Sequence, residues 1–148
     1  MVRKILIDGN NLIPKISSAR SKGKNLSRAD LIVLLERIFF SSKDSVVIFF
    51  DGFKNEEIKS NRIKIIYSDK KKADELIRRE IENNYKSQKI VVISSDHEII
   101  NLAKVCGCEI VRSEDFEKRF KIKNQNKTEE SEKPIISNEE SKKMFGLK

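Results

Sequence analysis

The sequence has two cysteines, one histidine and no apolar run approaching the roughly 18 residues of a membrane-spanning helix. Cys106 and Cys108 are too few for a disulfide framework and too close together to bridge without strain, so no disulfide is expected. Cys106-Gly107-Cys108 also lacks partner ligands for zinc, and His97 reads as a surface residue in the first turn of a helix. Neither a phosphate-binding Gly-x-x-x-x-Gly-Lys-Ser/Thr loop nor a Gly-x-Ser-x-Gly nucleophile elbow occurs. The start, Met1-Val2-Arg3-Lys4 before Ile5-Leu6-Ile7-Asp8, does not read as a signal peptide, because its apolar stretch is short and ends in a carboxylate. The expected compartment is the reducing cytoplasm, with no membrane partner.

What is present is a chain of 148 residues, 38% of them hydrophobic, enough for one domain with a real core. Lys and Arg number 31 against 23 Asp and Glu, a net charge of 31 − 23 = +8 that favours a polyanion partner. Lys outnumbers Arg 22 to 9, as coding bias alone would also produce. The excess gathers in two segments, Pro14 to Asn25 and Gly52 to Lys72, which read as loops or their flanks. From Lys121 the composition turns polar and aperiodic, giving a domain over 1–120 and a flexible tail over 121–148. The tail's end, with Met144, Phe145 and Leu147, could form a short docking helix.

Apolar runs at Lys4 to Asp8, Ser45 to Phe50, Ile63 to Tyr67, Lys89 to Ser94 and Glu109 to Val111 predict strands. Asp8-Gly9-Asn10-Asn11 reads as a turn. Helical spacing predicts a helix opened by Ser27, one over Ala73 to Tyr85, one capped by Ser95 and ended by Gly107, and a last turn capped by Ser113. Strands alternating with helices imply a parallel sheet in a three-layer α/β sandwich.

In such a sheet Asp8, Asp51, Asp74 and Asp96 all fall at the carboxyl edge, where ligands bind. One Asp in such a turn usually caps a helix. Four together repel unless a cation intervenes, and Mg²⁺ accepts a few carboxylates while keeping waters. Asp74 lies roughly 60° from its helix's apolar stripe and Glu75 roughly 160°, so Asp74 borders the sheet. Acidic residues, a metal and a basic surround suit phosphodiester hydrolysis. The aromatics are mostly Phe within core runs, so no base-stacking platform is expected, and Tyr67 is only a weak candidate.

Ile7-Asp8-Gly9-Asn10-Asn11-Leu12-Ile13, Ile48-Phe49-Phe50-Asp51, Ala73-Asp74-Glu75-Leu76-Ile77 and Val92-Ile93-Ser94-Ser95-Asp96 occur in the order seen in the NYN domain. Over about Arg3 to Phe120 the chain resembles the YacP-like branch of that family, within the PIN-like nuclease superfamily. The resemblance implies a PIN-like, Rossmannoid fold and a metal-dependent ribonuclease, with bacterial relatives acting on messenger RNA and linked to the ribosome. It carries the acidic positions onto Asp8, Asp51, Asp74 and Asp96, the turn asparagine onto Asn11, and a small polar residue onto Ser95. Arg28 matches a basic residue that opens the first helix near phosphate. Asn10 stands where the family usually has Tyr, and the Asp51 to Ile63 connection is short.

The leading expectation is therefore a Mg²⁺- or Mn²⁺-dependent endoribonuclease using those four Asp as metal and catalytic residues, supported by Asn11 and Ser95. Arg28, Lys22, Lys24, Lys70, Lys71 and Lys72 are the expected phosphate contacts. The alternatives are a non-cleaving RNA- or ribosome-binding module and, ranked last, a structure-specific DNA nuclease.

Overall fold

The computed structural model describes residues 2–16, 26–54 and 58–120. Lys22, Lys24 and the tail after Phe120 lie outside them. Five parallel strands form one sheet: β1 (Arg3–Asp8), β2 (Ser45–Phe50), β3 (Ile63–Tyr67), β4 (Lys89–Ile93) and β5 (Glu109–Val111), in the order β3-β2-β1-β4-β5. The register aligns Ile7 with Ile48 on one side and Ile93 on the other, so the carboxyl ends of β1, β2 and β4 come out level. These are the five strands that the apolar runs predict.

The helices are α1 (Gly9–Leu12), α2 (Arg28–Ile38), α3 (Ala73–Asn84), α4 (His97–Val105) and α5 (Phe116–Arg119), with 3-10 turns at Ile13–Lys15 and Ser113–Asp115. Strand alternation divides the core in two. Ile5, Ile7, Ile48, Phe50 and Ile93 face α2 and Phe116. Leu6, Val47, Phe49 and Val92 face Ile77 and Ile81 of α3 and Ile99 and Ala103 of α4. The result is the expected three-layer sandwich.

Three local expectations are corrected. Asp8-Gly9-Asn10-Asn11 enters a helical turn, α1, directly from the strand instead of reversing the chain. Ser27 does cap α2, its Oγ accepting from the Asp30 amide at 3.0 Å. The cap of α4, however, is Asp96 and not Ser95: Oδ1 of Asp96 accepts from the amides of Glu98 and Ile99 at 2.9 and 3.1 Å. Ser113 caps nothing; its hydroxyl turns inward to Asn11.

Arg62 holds the end of α2 to the sheet. Its Nε donates to the carbonyl of Phe39 at 3.0 Å, and its Nη2 donates to those of Ser42 and Asp44 at 2.9 and 2.8 Å. Charged donors to carbonyls are stronger than neutral ones. Arg62→Ala is expected to destabilise the domain by about 2 kcal/mol, seen as a fall of several degrees in thermal unfolding. Arg62→Lys should recover under half of that, because one ammonium cannot reproduce the planar fork. A full rescue by Lys would mean that the charge, not the geometry, matters.

Candidate active site

The strand order reverses beside β1: the chain moves outward through β2 and β3, then returns to lay β4 on the other side. Such a reversal leaves a crevice at the carboxyl edge. The alternation that sends Leu6 to the α3/α4 side sends Asp8 to the same side, at the carboxyl end of β1. The same parity places Ser94 there, following Val92.

Asp8 is 7% exposed and has no cationic partner among the described residues. Its Oδ2 accepts from the hydroxyl of Ser94 at 3.1 Å. That hydroxyl, itself fully buried, also accepts from the Asp96 amide at 3.1 Å, so one serine fixes two aspartates relative to each other. Burial pushes the Asp8 carboxyl up to about 6. The bonds from Ser94 and from the Asn11 amide oppose that rise, while the charges of Asp51 and Asp96 add to it. Asp8 therefore lies within the field of both other carboxylates.

Asp51 and Asp96 each use one oxygen structurally. Oδ1 of Asp51 accepts from the amide of Ala73, the first residue of α3, at 2.7 Å. Its other oxygen, like Oδ2 of Asp96, has no partner among the described residues. Asn10 anchors this turn, its Oδ1 accepting from the Asp51 amide at 2.9 Å. Asp74 is half-buried where Glu75 is exposed, as the helical angles predict. It differs from the other three in having a cationic partner among the described residues: Arg78 donates to its Oδ2 at 3.3 Å and also reaches Glu98 at 3.8 Å.

Behind the aspartates lies a polar lattice. Oδ1 of Asn11 accepts from the Ser95 amide at 2.9 Å and from the Ser113 hydroxyl at 2.6 Å. Oγ of Ser95 accepts from the Ser113 amide at 2.9 Å and donates to Glu114. That bond holds the Glu114 carboxyl below its usual range, with Lys15 and Arg112 contributing. The sequence assigns no site role to Ser94, Ser113, Glu114 or Arg78, and places Ser113 only as a helix cap. Ser94 alone carried a readable signal, since its parity on β4 matches that of Asp8 on β1.

Arg28 turns inward. Its Nη2 donates to the Asp51 carbonyl at 2.7 Å, and its guanidinium lies 4.8 Å from the Phe50 ring centre and 5.7 Å from that of Tyr67. Its Nη1 is buried and without a hydrogen-bond partner. The residue thus braces the Asp51 turn from below. Lys70, Lys71 and Lys72 are exposed immediately before α3, beside Asp51.

Among the described residues, no three carboxylate, imidazole or thiol groups already stand as a metal cage. The donors still suit a hard, hydrated cation. They are all oxygen, one is a buried unpaired carboxylate, and Mg²⁺ needs only one or two carboxylates because it keeps most of its waters. Both cysteines are free thiols, and among the described residues no helix is long and apolar enough to cross a membrane.

The family model for the YacP-like NYN domain matches residues 5–146, past the Phe120 boundary suggested by composition. Two crystal structures of Rae1 (YacP) from Bacillus subtilis are similar in fold. One has a TM-score of 0.65 and 18% identity, covering 82% of this chain and 75% of that one. The other, a W164L mutant, has a TM-score of 0.59 and 19% identity, covering 82% and 76%. No curated protein sequence matches the chain.

Proposed function

Because this chain belongs to the YacP-like NYN domain family, a nuclease-like group with RNA-related function, we propose that it is a Mg²⁺- or Mn²⁺-dependent endoribonuclease. Its substrate is single-stranded RNA, including messenger RNA at the ribosome, in the reducing cytoplasm. The observation that carries this reading is Asp8: a buried carboxylate with no cationic partner among the described residues, at the sheet's reversal point, sensing the charges of Asp51 and Asp96.

When bound, the metal supplies a Lewis acid and lowers the pKa of a water to make the nucleophile for phosphodiester hydrolysis. Asp8 would hold it, with the uncommitted oxygens of Asp51 and Asp96 as further oxygen donors. Ser94 keeps the Asp8 carboxylate in one orientation. Asn11, Ser95 and Ser113 fix the loop that carries Asp96. Asp74 acts at the rim, its charge shared with Arg78. Lys70, Lys71 and Lys72 attract the phosphate backbone and add affinity without sequence choice.

The test is cleavage of a labelled single-stranded RNA by the chelated protein, before and after Mg²⁺ or Mn²⁺ is restored. Cleavage only with metal is expected. A rate unchanged by chelation would rule out the metal-dependent reading. A specific observation favours a second reading, a non-cleaving RNA- or ribosome-binding module: Asp51 and Asp96 each cap a helix, and Asp74 is paired with Arg78. Tight RNA or ribosome binding without turnover under any metal would select it.

A further inference from the structure

Six large apolar side chains are well exposed among the described residues: Val2, Val33, Phe40, Phe53, Tyr85 and Val105. Phe40, Tyr85 and Val105 lie at or just past the carboxyl ends of α2, α3 and α4, which a parallel crossover returns to the amino edge of the sheet. Val2 precedes β1, and Val33 sits in the middle of α2. Only Phe53 stands at the carboxyl edge, two residues beyond Asp51. It is 60% exposed and belongs to neither core cluster.

The backbone leading to it is hydrogen-bonded to the segment before α3. The Ser68 amide donates to the Phe50 carbonyl at 2.9 Å, and the Gly52 amide donates to the Ser68 hydroxyl at 2.9 Å. The Asp69 amide then donates to the Gly52 carbonyl at 2.8 Å. Gly52 has φ +84, a conformation that a side chain would oppose, and Asp69 has φ 58. This clamp lays the segment leading to Phe53 beside Asp69 and so beside Lys70, Lys71 and Lys72, all exposed. An exposed aromatic on a segment hydrogen-bonded to the one that leads into a row of exposed lysines, at the sheet edge that carries the aspartates, is the combination that proteins use for single-stranded nucleic acids: charge tracks the backbone while a ring stacks on a base.

Resting on the ribonuclease reading, we infer that Phe53 is a stacking platform for one nucleobase of the RNA strand, positioning the adjoining phosphate over the aspartates. The sequence suggests no such platform; Tyr67, its weak candidate, is half-buried beneath Arg28 and packs against Phe50 at 5.9 Å. Stacking on Phe53 tolerates any base, so the platform sets strand register rather than sequence preference.

The sequence has no tryptophan, so Phe53→Trp introduces a single indole, selectively excited beyond the two tyrosines, at the proposed contact. Binding of a short oligoadenylate and of an abasic strand of equal length is measured in chelator, where cleavage plays no part. Phe53→Ala should weaken oligoadenylate binding about tenfold and leave abasic binding unchanged. Phe53→Trp should restore affinity, and its emission should be quenched by oligoadenylate but not by the abasic strand. Equal loss on both strands, no loss in Phe53→Ala, failure of Trp to rescue, or no measurable wild-type binding would each overturn the platform. Failure of the ribonuclease reading is distinct, since it appears as absent metal-dependent cleavage whatever Phe53 does in binding.

Discussion

Asp8→Asn is expected to lower metal-dependent RNA cleavage by a factor on the order of 10² to 10³ while making the metal-free protein more stable above pH 7. The two effects have one origin. Burial raises the folded-state carboxyl from 3.8 to about 6. Well below the unfolded value of 3.8 it is protonated both folded and unfolded, and costs nothing. Between pH 4 and 6 the unfolded chain ionises while the folded one keeps its proton, so stability falls as pH rises. Above about pH 7 both forms are ionised and the full penalty stands, on the order of 3 kcal/mol for a shift of about two units.

Asparagine carries no charge to bury and keeps an oxygen for the Ser94 hydroxyl. Its amide needs a new acceptor, so the net gain should be about 1–3 kcal/mol at pH 8, vanishing toward pH 4. Added Mg²⁺ should stabilise the wild type and leave the variant unmoved. Thermal melts of both proteins across that pH range, with and without the metal, check all three. Parallel pH profiles would show that Asp8 carries no buried-charge penalty.

Gly9→Ala should be severe in the opposite direction. A Cβ there would lie 2.4 Å from Cε1 and 2.6 Å from Cδ1 of Phe50, and 3.0 Å from the Phe49 carbonyl. Phe50 is fully buried, with Arg28 over its face, and the sheet backbone behind it has nowhere to move. Gly9 sits in α1, where alanine alone would favour the helix by about 1 kcal/mol. The clash should outweigh that and cost about 3 kcal/mol net. The shift would pass directly to Asp8, Asn10 and Asn11, so cleavage should fall at least about tenfold even where the protein is still folded. Urea denaturation measures the first effect and turnover at low temperature the second. Adding Phe50→Leu should return part of the stability, and no return would mean that the strain lies elsewhere.

Much of this architecture was legible in the chain. Five short apolar runs became five strands almost residue for residue; for the inner strands β1, β2 and β4, burial on both faces leaves a nearly uninterrupted apolar signature. The turn at Asp8-Gly9-Asn10-Asn11 was misread because Gly and Asn signal turns locally, whereas close packing of Gly9 under Phe50 admits a helix start. The cap of α4 was misplaced by one residue because Ser and Asp are both good caps. The hydroxyl of Ser95 is drawn instead to Glu114, and that of Ser94 to Asp8.

By itself, the sequence determined that a parallel α/β sheet would form and that aspartates would follow β1, β2 and β4, because period-two and helical patterns are written within short windows. Only the tertiary structure decided how those aspartates differ. It buried Asp8, set one oxygen each of Asp51 and Asp96 to helix capping, gave Asp74 to Arg78, turned Arg28 inward and left Phe53 outside. The reason is separation along the chain. Asp8 meets Ser94 across 86 residues, and Asn11 meets Ser95 and Ser113 across 84 and 102. Burial and hydrogen-bond partnership at such distances arise only once the sheet has brought the strand ends together.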